Sequence, residues 1–181
     1  MNITVFLGTN FGNDPVYRKL TEELGAWIGD QGHTLVYGGA KWGLMGMLAD
    51  TVLAHGGRVI GVMPDIIAAR GQIYPHLSEL IRTETMAERK TTMNRLGEAY
   101  IALPGGPGTL EEIAEVISQA RLQVHSHPCI FLSDTGFYEP LKQYMDAMIR
   151  EGFWKEEEAR HVHFAGSVQE AAEIILDKVA E

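Results

Sequence analysis

The chain has 181 residues, which is the size of one ordinary domain and is enough to bury a hydrophobic core. Hydrophobic residues make up 45% of it and charged residues 22%, which excludes a largely disordered chain. The formal net charge of −9 argues against a nucleic-acid-binding protein, because such proteins need basic patches that neutralise phosphates. A small anionic ligand remains compatible with this charge, since it needs only local cations.

The sequence shows no feature of export or membrane insertion. Its amino terminus, MNITVFLGTNFG, has neither a positively charged region nor a long apolar stretch, so we expect no signal peptide. No apolar run approaches the ~18 residues of a membrane span. The single cysteine, Cys129, excludes an internal disulfide framework and a four-cysteine zinc site. We therefore expect a cytoplasmic protein with no membrane partner.

Short apolar runs alternate with amphipathic runs along the chain. In chain order, the apolar and β-branched runs predict strands over 3–7, 34–37, 58–62, 80–83, 99–103, 129–132 and 161–164. Helices are predicted over 15–31, 44–55, 86–96, 109–122 and 138–150, with a last helix from Ser167. The segment 64–77 has no clear periodicity and is predicted to be loop.

Two helix starts have capping signals. Asp14 precedes Pro15, and proline is favoured at the first helical position because the N–H that it lacks has no helical partner there. Ser167 is followed three residues later by Glu170, as in a capping box. We therefore expect Asp14 and Ser167 to cap the first and last helices.

The alternation of strands and helices predicts an α/β fold with parallel strands. The predicted strands are continuous apolar runs, as expected of strands that are covered on both faces. We therefore predict one Rossmann-like domain over residues 1–181, with a doubly wound, mostly parallel sheet and helices on both faces.

Three glycine-rich turns follow predicted strands, at 8–12, 38–46 and 104–109. Such sheets bind ligands at the carboxyl ends of their strands, and glycines let the backbone approach a ligand closely. The third turn runs straight into a helix, whose free N–H groups and dipole favour a phosphate. Any one of these turns could be merely tight, but three at one sheet edge favour a ligand site.

The commonest catalytic and nucleotide motifs are absent from the sequence. No turn has the dinucleotide fingerprint G-x-G-x-x-G with its acidic partner, and no G-x-x-x-x-G-K-[ST] loop is present. A G-x-S-x-G nucleophile elbow is also missing. Dinucleotide binding, Walker-type ATP hydrolysis and serine-hydrolase chemistry are therefore unsupported.

Glu112 has two interpretations. It lies three residues after Thr109, so the two residues could form a capping box at the start of a helix. Alternatively, its carboxylate stands at the rim of the phosphate turn, within reach of a sugar.

A stripe of two cations and two methionines marks the helix predicted over 86–96. Met86, Arg89, Lys90 and Met93 fall at helical spacing on one side. Unpaired buried charge is costly, so the cations should face an anion: a ligand phosphate, Glu112 or a partner chain. The alternative is that both cations reach solvent from the edge of a packed helix.

Two histidine pairs at alternate positions, 125/127 and 161/163, suggest a metal site only weakly. No carboxylate or cysteine cluster completes either pair, so we expect no metal centre. Cys129 is expected to lie in a buried strand as a small hydrophobic residue.

Three segments together resemble one known family. Residues 103–112 match the pattern PGGxGTxxE, residues 86–90 resemble M-x-x-R-K, and 37–46 contain Tyr-Gly-Gly followed by Gly-Leu-Met-Gly. The combination resembles the Lonely guy family of cytokinin riboside 5′-monophosphate phosphoribohydrolases, long labelled lysine decarboxylases. The resemblance extends from about residue 5 to residue 153.

The resemblance implies a cofactor-free, Rossmann-like homodimer with active sites near the interface. Its partner would be a small-molecule nucleotide, N6-modified AMP, hydrolysed at the N-glycosidic bond to a free base and ribose 5-phosphate. By resemblance, Arg89 and Glu112 are the catalytic pair. The phosphate would be held by Gly105, Gly106, Gly108 and Thr109. Met86 and Lys90 would belong to the same pocket, with Gly8, Thr9 and Gly39 as secondary contacts.

The sequence departs from the family pattern at four places. The first turn reads Gly8-Thr9-Asn10 where G-S-S is usual, Ala40 replaces a glycine, Ala87 replaces a frequent histidine, and His127 replaces a common lysine. Since Arg89 and Glu112 are unchanged, we expect these departures to affect substrate choice, with one polar contact to the nucleotide lost at the first turn.

Glycosidic cleavage passes through a sugar with oxocarbenium character, which a carboxylate near C1′ stabilises while it orients or deprotonates water. Glu112 is the candidate for that role, and Arg89 would hold it ionised. The distant phosphate would supply binding energy, so the nucleoside should be a poorer substrate.

Two rival functions stay open at this point. A protein of the same fold could bind or carry a nucleotide or the molybdenum cofactor without turnover. The lysine decarboxylase label would instead need pyridoxal phosphate on a Schiff-base lysine, for which Lys90 is the only marked candidate.

Overall fold

The computed structural model describes residues 1–180, in which seven strands alternate with seven α-helices. The strands are β1 (Asn2–Phe6), β2 (Thr34–Tyr37), β3 (Arg58–Pro64), β4 (Glu79–Thr83), β5 (Ala99–Ala102), β6 (Cys129–Leu132) and β7 (Val162–Ala165). The helices are α1 (Val16–Asp30), α2 (Gly43–Ala54), α3 (Asp65–Ala68), α4 (Met86–Leu96), α5 (Pro107–Arg121), α6 (Glu139–Arg150) and α7 (Val168–Ala180). Each predicted strand and helix is confirmed, with ends shifted by at most two residues.

All seven strands are parallel and lie in the order β4-β3-β2-β1-β5-β6-β7. The chain moves outward from β1 to β4, then returns to the other side of β1 with β5 and moves outward again. The predicted doubly wound, Rossmann-like α/β sheet is confirmed. The direction of winding reverses between β1 and β5, which is where such sheets open a crevice for ligands at their carboxyl edge.

The sheet is covered on both faces by apolar side chains. Because successive side chains of a strand point to opposite faces, Ile3 and Val5 pack towards α1, α2 and α7, whereas Phe6 packs towards α4, α5 and α6. Cys129 is fully buried in β6, as predicted. Within residues 1–180, no helix has the length and apolar character needed to cross a bilayer.

The segment 64–77 is only partly loop, so that prediction is corrected. It contains the short helix α3, and Ile73 forms an isolated antiparallel bridge with Ala40. The N–H of Tyr74 donates to the carbonyl of Gly39 at 2.9 Å. The segment therefore folds back over the turn that follows β2. This pairing joins residues far apart in sequence, which periodicity cannot show.

The first helix begins one residue later than predicted. Pro15 occupies the capping position, and α1 starts at Val16. The carboxylate of Asp14 still accepts a hydrogen bond from the N–H of Val16 at 3.0 Å. Asp14 therefore accepts a hydrogen bond from a first-turn N–H, although it lies one residue before the capping position.

The cap of the last helix is confirmed and carries a stability prediction. The hydroxyl of Ser167 accepts a hydrogen bond from the N–H of Glu170 at 3.2 Å. We expect Ser167→Ala to lower the free energy of unfolding by about 1 kcal/mol, measured by urea denaturation. Ser118→Ala, at an exposed position inside α5, is the matched control and should be neutral or slightly stabilising. Equal losses in both variants would contradict a capping role.

Candidate active site

The three glycine-rich turns meet at the carboxyl edge of the sheet, as the sequence predicted. A Cβ atom built on Gly105 would lie 3.0 Å from the backbone nitrogen of Gly8, which follows the neighbouring strand β1. A Cβ atom on Gly43 would overlap the carbonyl of Thr9. The turns therefore pack backbone against backbone, which side chains at these two glycines would prevent.

A cavity of about 500 Å³ opens where the turns meet. Its wall includes eight of the predicted site residues: Gly8, Thr9, Arg89, Gly105, Gly106, Gly108, Thr109 and Glu112. The structure therefore brings both predicted catalytic side chains and the whole predicted phosphate turn to one cavity.

Arg89 and Glu112 form a largely buried ion pair at this cavity. Arg89 Nη1 lies 2.6 Å from Glu112 Oε1, and the two side chains are only 10% and 12% exposed. Arg89 Nε also donates to the carbonyl of Val62 in β3 at 3.1 Å. Arg89 therefore does not reach solvent from the helix edge, and Glu112 is the anion, of the three considered, that it contacts.

Two opposing effects act on the pKa of Glu112. Burial raises the pKa of its carboxyl group above the ordinary value, and the positive charge of Arg89 opposes this shift without cancelling it. Arg89 thus acts in the expected direction, since its charge and hydrogen bond favour the ionised form of Glu112. A carboxyl group with a raised pKa is better suited to accept a proton near neutral pH.

Glu112 is not part of a capping box, so that interpretation is wrong. Helix α5 begins at Pro107 with Gly106 as the capping residue, so Thr109 lies inside the first turn. The buried side chain of Thr109 fills the space that a Cβ atom on Gly105 would need. Thr109 thus packs under the turn, while the carboxylate of Glu112 is left to bind Arg89.

Neither steric crowding nor backbone conformation explains the glycines at positions 106 and 108. A Cβ atom on either would meet no heavy atom of the described chain within 4 Å, and neither residue has a positive φ. Both line the cavity at the start of α5, where the first N–H groups of a helix have no helical acceptor. The open space and free donors suit a bound anion.

Three predicted site residues lie outside the cavity wall. Met86, at the start of α4, is 42% exposed. Gly39 packs on β3, where its Cβ would be 3.3 Å from the Cα of Gly61. Lys90 spans from α4 to α5, with its Nζ 2.8 Å from a Glu111 carboxylate oxygen and 2.9 Å from one of Glu115.

The position of Lys90 bears on the decarboxylase alternative. Its hydrogen bonds to Glu111 and then to Glu115 raise the pKa of its ammonium group. A Schiff-base lysine needs the opposite shift, because only the neutral amine attacks a carbonyl. The environment of Lys90 therefore does not fit that chemistry.

Sequence reasoning missed the apolar part of the cavity wall. Its side chains come from β3 itself and from segments that follow β1, β2, β3 and β6, and they include one polar residue, Gln72. Residues of this kind include Phe11, Tyr17, Met45, Met63, Ile67, Gln72 and Phe137. The sequence could have indicated these residues only through their positions after strands, because the loops that follow parallel strands all lie at the same edge of the sheet.

The histidine pairs lie at the opposite edge of the sheet. His125 and His127 precede β6, with ring centroids 5.5 Å apart, and His161 precedes β7. Among residues 1–180, no group of three or more histidine, cysteine, aspartate or glutamate side chains could hold a metal ion.

Comparison with known proteins places the chain in a family. The sequence profile of a family described as "Possible lysine decarboxylase" matches residues 45–175. A cytokinin riboside 5′-monophosphate phosphoribohydrolase from Rhodococcoides fascians is 43% identical over 153 residues, covering 84% of this chain and 77% of that protein. The chain belongs to the Lonely guy family. A second member of the Lonely guy family, from Oryza sativa subsp. japonica, is 39% identical over 93% of this chain and 69% of its own length.

A solved structure supports the fold independently of the Lonely guy relatives. The molybdenum cofactor carrier protein of Chlamydomonas reinhardtii superposes with a TM-score of 0.77 over 99% of this chain and 98% of its own. The two sequences are 21% identical, so this likeness shows a shared fold and nothing about the ligand.

Proposed function

We propose that this protein hydrolyses the N-glycosidic bond of N6-modified adenosine 5′-monophosphate. The observation that carries the proposal is the buried Arg89–Glu112 pair, which shares one cavity with the glycine turn at the start of α5. The names of the relatives, cytokinin riboside 5′-monophosphate phosphoribohydrolases, support the same reaction. Water and nucleotide would give the free base and ribose 5-phosphate, without a cofactor.

The phosphate would bind at the start of α5. The backbone N–H groups of Gly108 and Thr109 would donate to it, and the space above Gly106 would admit it. Gly105 would keep the turn close to Thr109, and Gly8 and Thr9 would form the adjoining wall. Lys90 and Met86 lie outside this wall, so we assign neither a direct phosphate contact.

Glu112 would act on the reacting bond. As the bond from C1′ to the base nitrogen breaks, its electrons pass to the base and positive charge develops on the sugar, which a nearby carboxylate stabilises. Water then adds to C1′ and gives a proton to Glu112, the departing base takes up a proton from solvent, and Glu112 returns its proton to solvent, which balances the reaction. Arg89 would hold the carboxylate in place through its bonds to Glu112 and Val62.

A pH profile tests this assignment. Because Glu112 must be ionised to accept a proton, activity should fall as the pH drops through its raised pKa. We expect the acidic limb of kcat/KM to lie above 4.5, the ordinary glutamate pKa. Glu112→Asp is the control. The substrate phosphate titrates in the same way with both proteins, so the acidic limb of the kcat/KM profile can move only if it reports the ionisation of residue 112. A limb that stays in place would contradict the assignment.

We also propose that two copies associate near this site in the cytoplasm. Met86 and Leu110 are exposed apolar residues in the first turns of α4 and α5, the helices that carry Arg89 and Glu112. A second copy that covered them would border the cavity. Sedimentation equilibrium would reveal the dimer, and a monomer at assay concentrations would contradict it.

The function itself is tested by product analysis. The purified protein is incubated with AMP, with N6-isopentenyl-AMP and with the two matching nucleosides, and free base is followed by chromatography. We expect base from the nucleotides and far less from the nucleosides, and the ratio between the nucleotides measures the preference for the base. A folded protein that releases no base from any nucleotide would contradict the proposal.

A further inference from the structure

We propose that Gly38 is a positioning residue for catalysis, because the side chain that it lacks leaves the space into which the guanidinium of Arg89 fits. The expected effect of Gly38 on the reaction rate rests on the proposed function, whereas its expected effect on the position of Arg89 does not. Gly38 follows β2, begins the second glycine-rich turn and lines the cavity, but sequence reasoning assigned this residue no role of its own.

Steric contact, not backbone conformation, makes glycine necessary at position 38. A Cβ atom there would overlap Nη2 of Arg89, and it would lie 3.3 Å from the Cζ of Arg89 and 2.6 Å from the Cε of Met45. The left-handed conformation in this turn belongs to the next residue, Gly39, whose φ is +76°. Alanine at 38 is therefore compatible with the backbone and incompatible with the position of the guanidinium.

The guanidinium is held from three sides. Nε donates to the carbonyl of Val62, Nη1 donates to Glu112, and the edge that bears Nη2 lies against Gly38. Gly38 directly follows β2 and Val62 lies within β3, and each comes one residue after the registered pair of Tyr37 with Gly61. Gly38 and Val62 therefore form a rigid surface that fixes where Arg89 meets Glu112.

Alanine at position 38 should move Arg89 without unfolding the protein. The atoms it would overlap are the ends of two flexible side chains, which can turn away. A displaced guanidinium no longer opposes the effect of burial on Glu112, so the pKa of that carboxyl should rise further. The phosphate turn is untouched, so kcat should fall more than KM rises.

The test compares Gly38→Ala with Gly166→Ala, a matched control whose Cβ atom would come no closer than 3.7 Å to a neighbouring atom. We expect kcat of Gly38→Ala to fall about 100-fold, the usual effect of misplacing a catalytic group by ~1 Å. Titration of the glutamate carboxyl groups by ¹³C NMR should show a higher pKa for Glu112. Gly166→Ala should match the wild type in both measurements.

A double variant strengthens the test. Arg89→Lys should cost much less activity in the Gly38→Ala background than in the wild type, since Arg89 is already displaced there. If Gly38→Ala fails to fold, Gly38→Ala/Arg89→Ala should be as stable as Arg89→Ala alone, because Arg89 is the nearer of the two overlapped side chains and Arg89→Ala already contains the cost of the broken ion pair. A double variant that is clearly less stable than Arg89→Ala would overturn the proposal.

The NMR titration separates this proposal from the proposed function. A folded Gly38→Ala that keeps the wild-type pKa of Glu112 and the wild-type kcat would overturn the role of Gly38. If the wild type itself releases no base, the proposed function fails, and the pKa of Glu112 in Gly38→Ala still decides whether Gly38 positions Arg89.

Discussion

Glu112→Gln is expected to lower kcat on the order of 10³-fold, the typical contribution of a general base in its reacting geometry. Glutamine keeps the size of the side chain and still accepts a hydrogen bond from Arg89, but it neither takes a proton nor stabilises a positive sugar. Because Arg89 loses its counter-charge, the unfolding free energy should also fall, by less than the ~3–5 kcal/mol of a fully broken buried pair. Steady-state kinetics on protein shown to be folded by circular dichroism provides the measurement.

Glu111→Gln is the matched control for this variant. Glu111 is the adjacent residue of α5, its side chain is 62% exposed, and it shares Lys90 with Glu115. The same chemical change one position away should leave kcat close to the wild-type value. If both variants lose activity equally, or if Glu112→Gln turns over normally, Glu112 is not the base.

Gly106→Asp is expected to lower kcat/KM for the nucleotide by about 100-fold or more, because hydrogen bonds to a charged group are worth about 1.5–3 kcal/mol each. Aspartate is a favoured capping residue, and its carboxylate would accept the same first-turn N–H groups that we assign to the phosphate. The unfolding free energy should therefore stay level or rise by a few tenths of a kcal/mol. Loss of activity without loss of stability is the distinguishing result.

The nucleoside supplies an internal control for Gly106→Asp. It has no phosphate to compete with the new carboxylate, so its slow cleavage should change little between the two proteins. Equal losses for nucleotide and nucleoside would show that Gly106 affects the reacting groups and not the phosphate.

The fold was predictable because its signals are local. Most strands are continuous apolar runs and each long helix has its own periodicity, so alternation alone indicated a doubly wound sheet. The pairing of Arg89 with Glu112 was also within reach, since a cation on a largely apolar stripe needs a nearby anion. The segment 64–77 was not predictable, because its pairing with Ala40 joins distant parts of the chain.

The errors at the site have physical causes. Proline is favoured at the first helical position, so Pro107 could have indicated Gly106 as the cap instead of Thr109. Adjacent helical residues point about 100° apart. Arg89 and Lys90 therefore face different neighbours, and their sequence spacing did not show which one faces the cavity. The raised pKa of Glu112 comes from burial, which depends on the assembled structure.

The central claim is tested most directly by a single-turnover experiment with protein in excess over N6-isopentenyl-AMP. All of the nucleotide is then bound at the start, and the mixture is analysed for every product. We predict one free base and one ribose 5-phosphate for each nucleotide consumed, with both products lost in Glu112→Gln. Nucleotide that binds to the folded wild-type protein and is recovered intact would contradict the account and would indicate a nucleotide carrier.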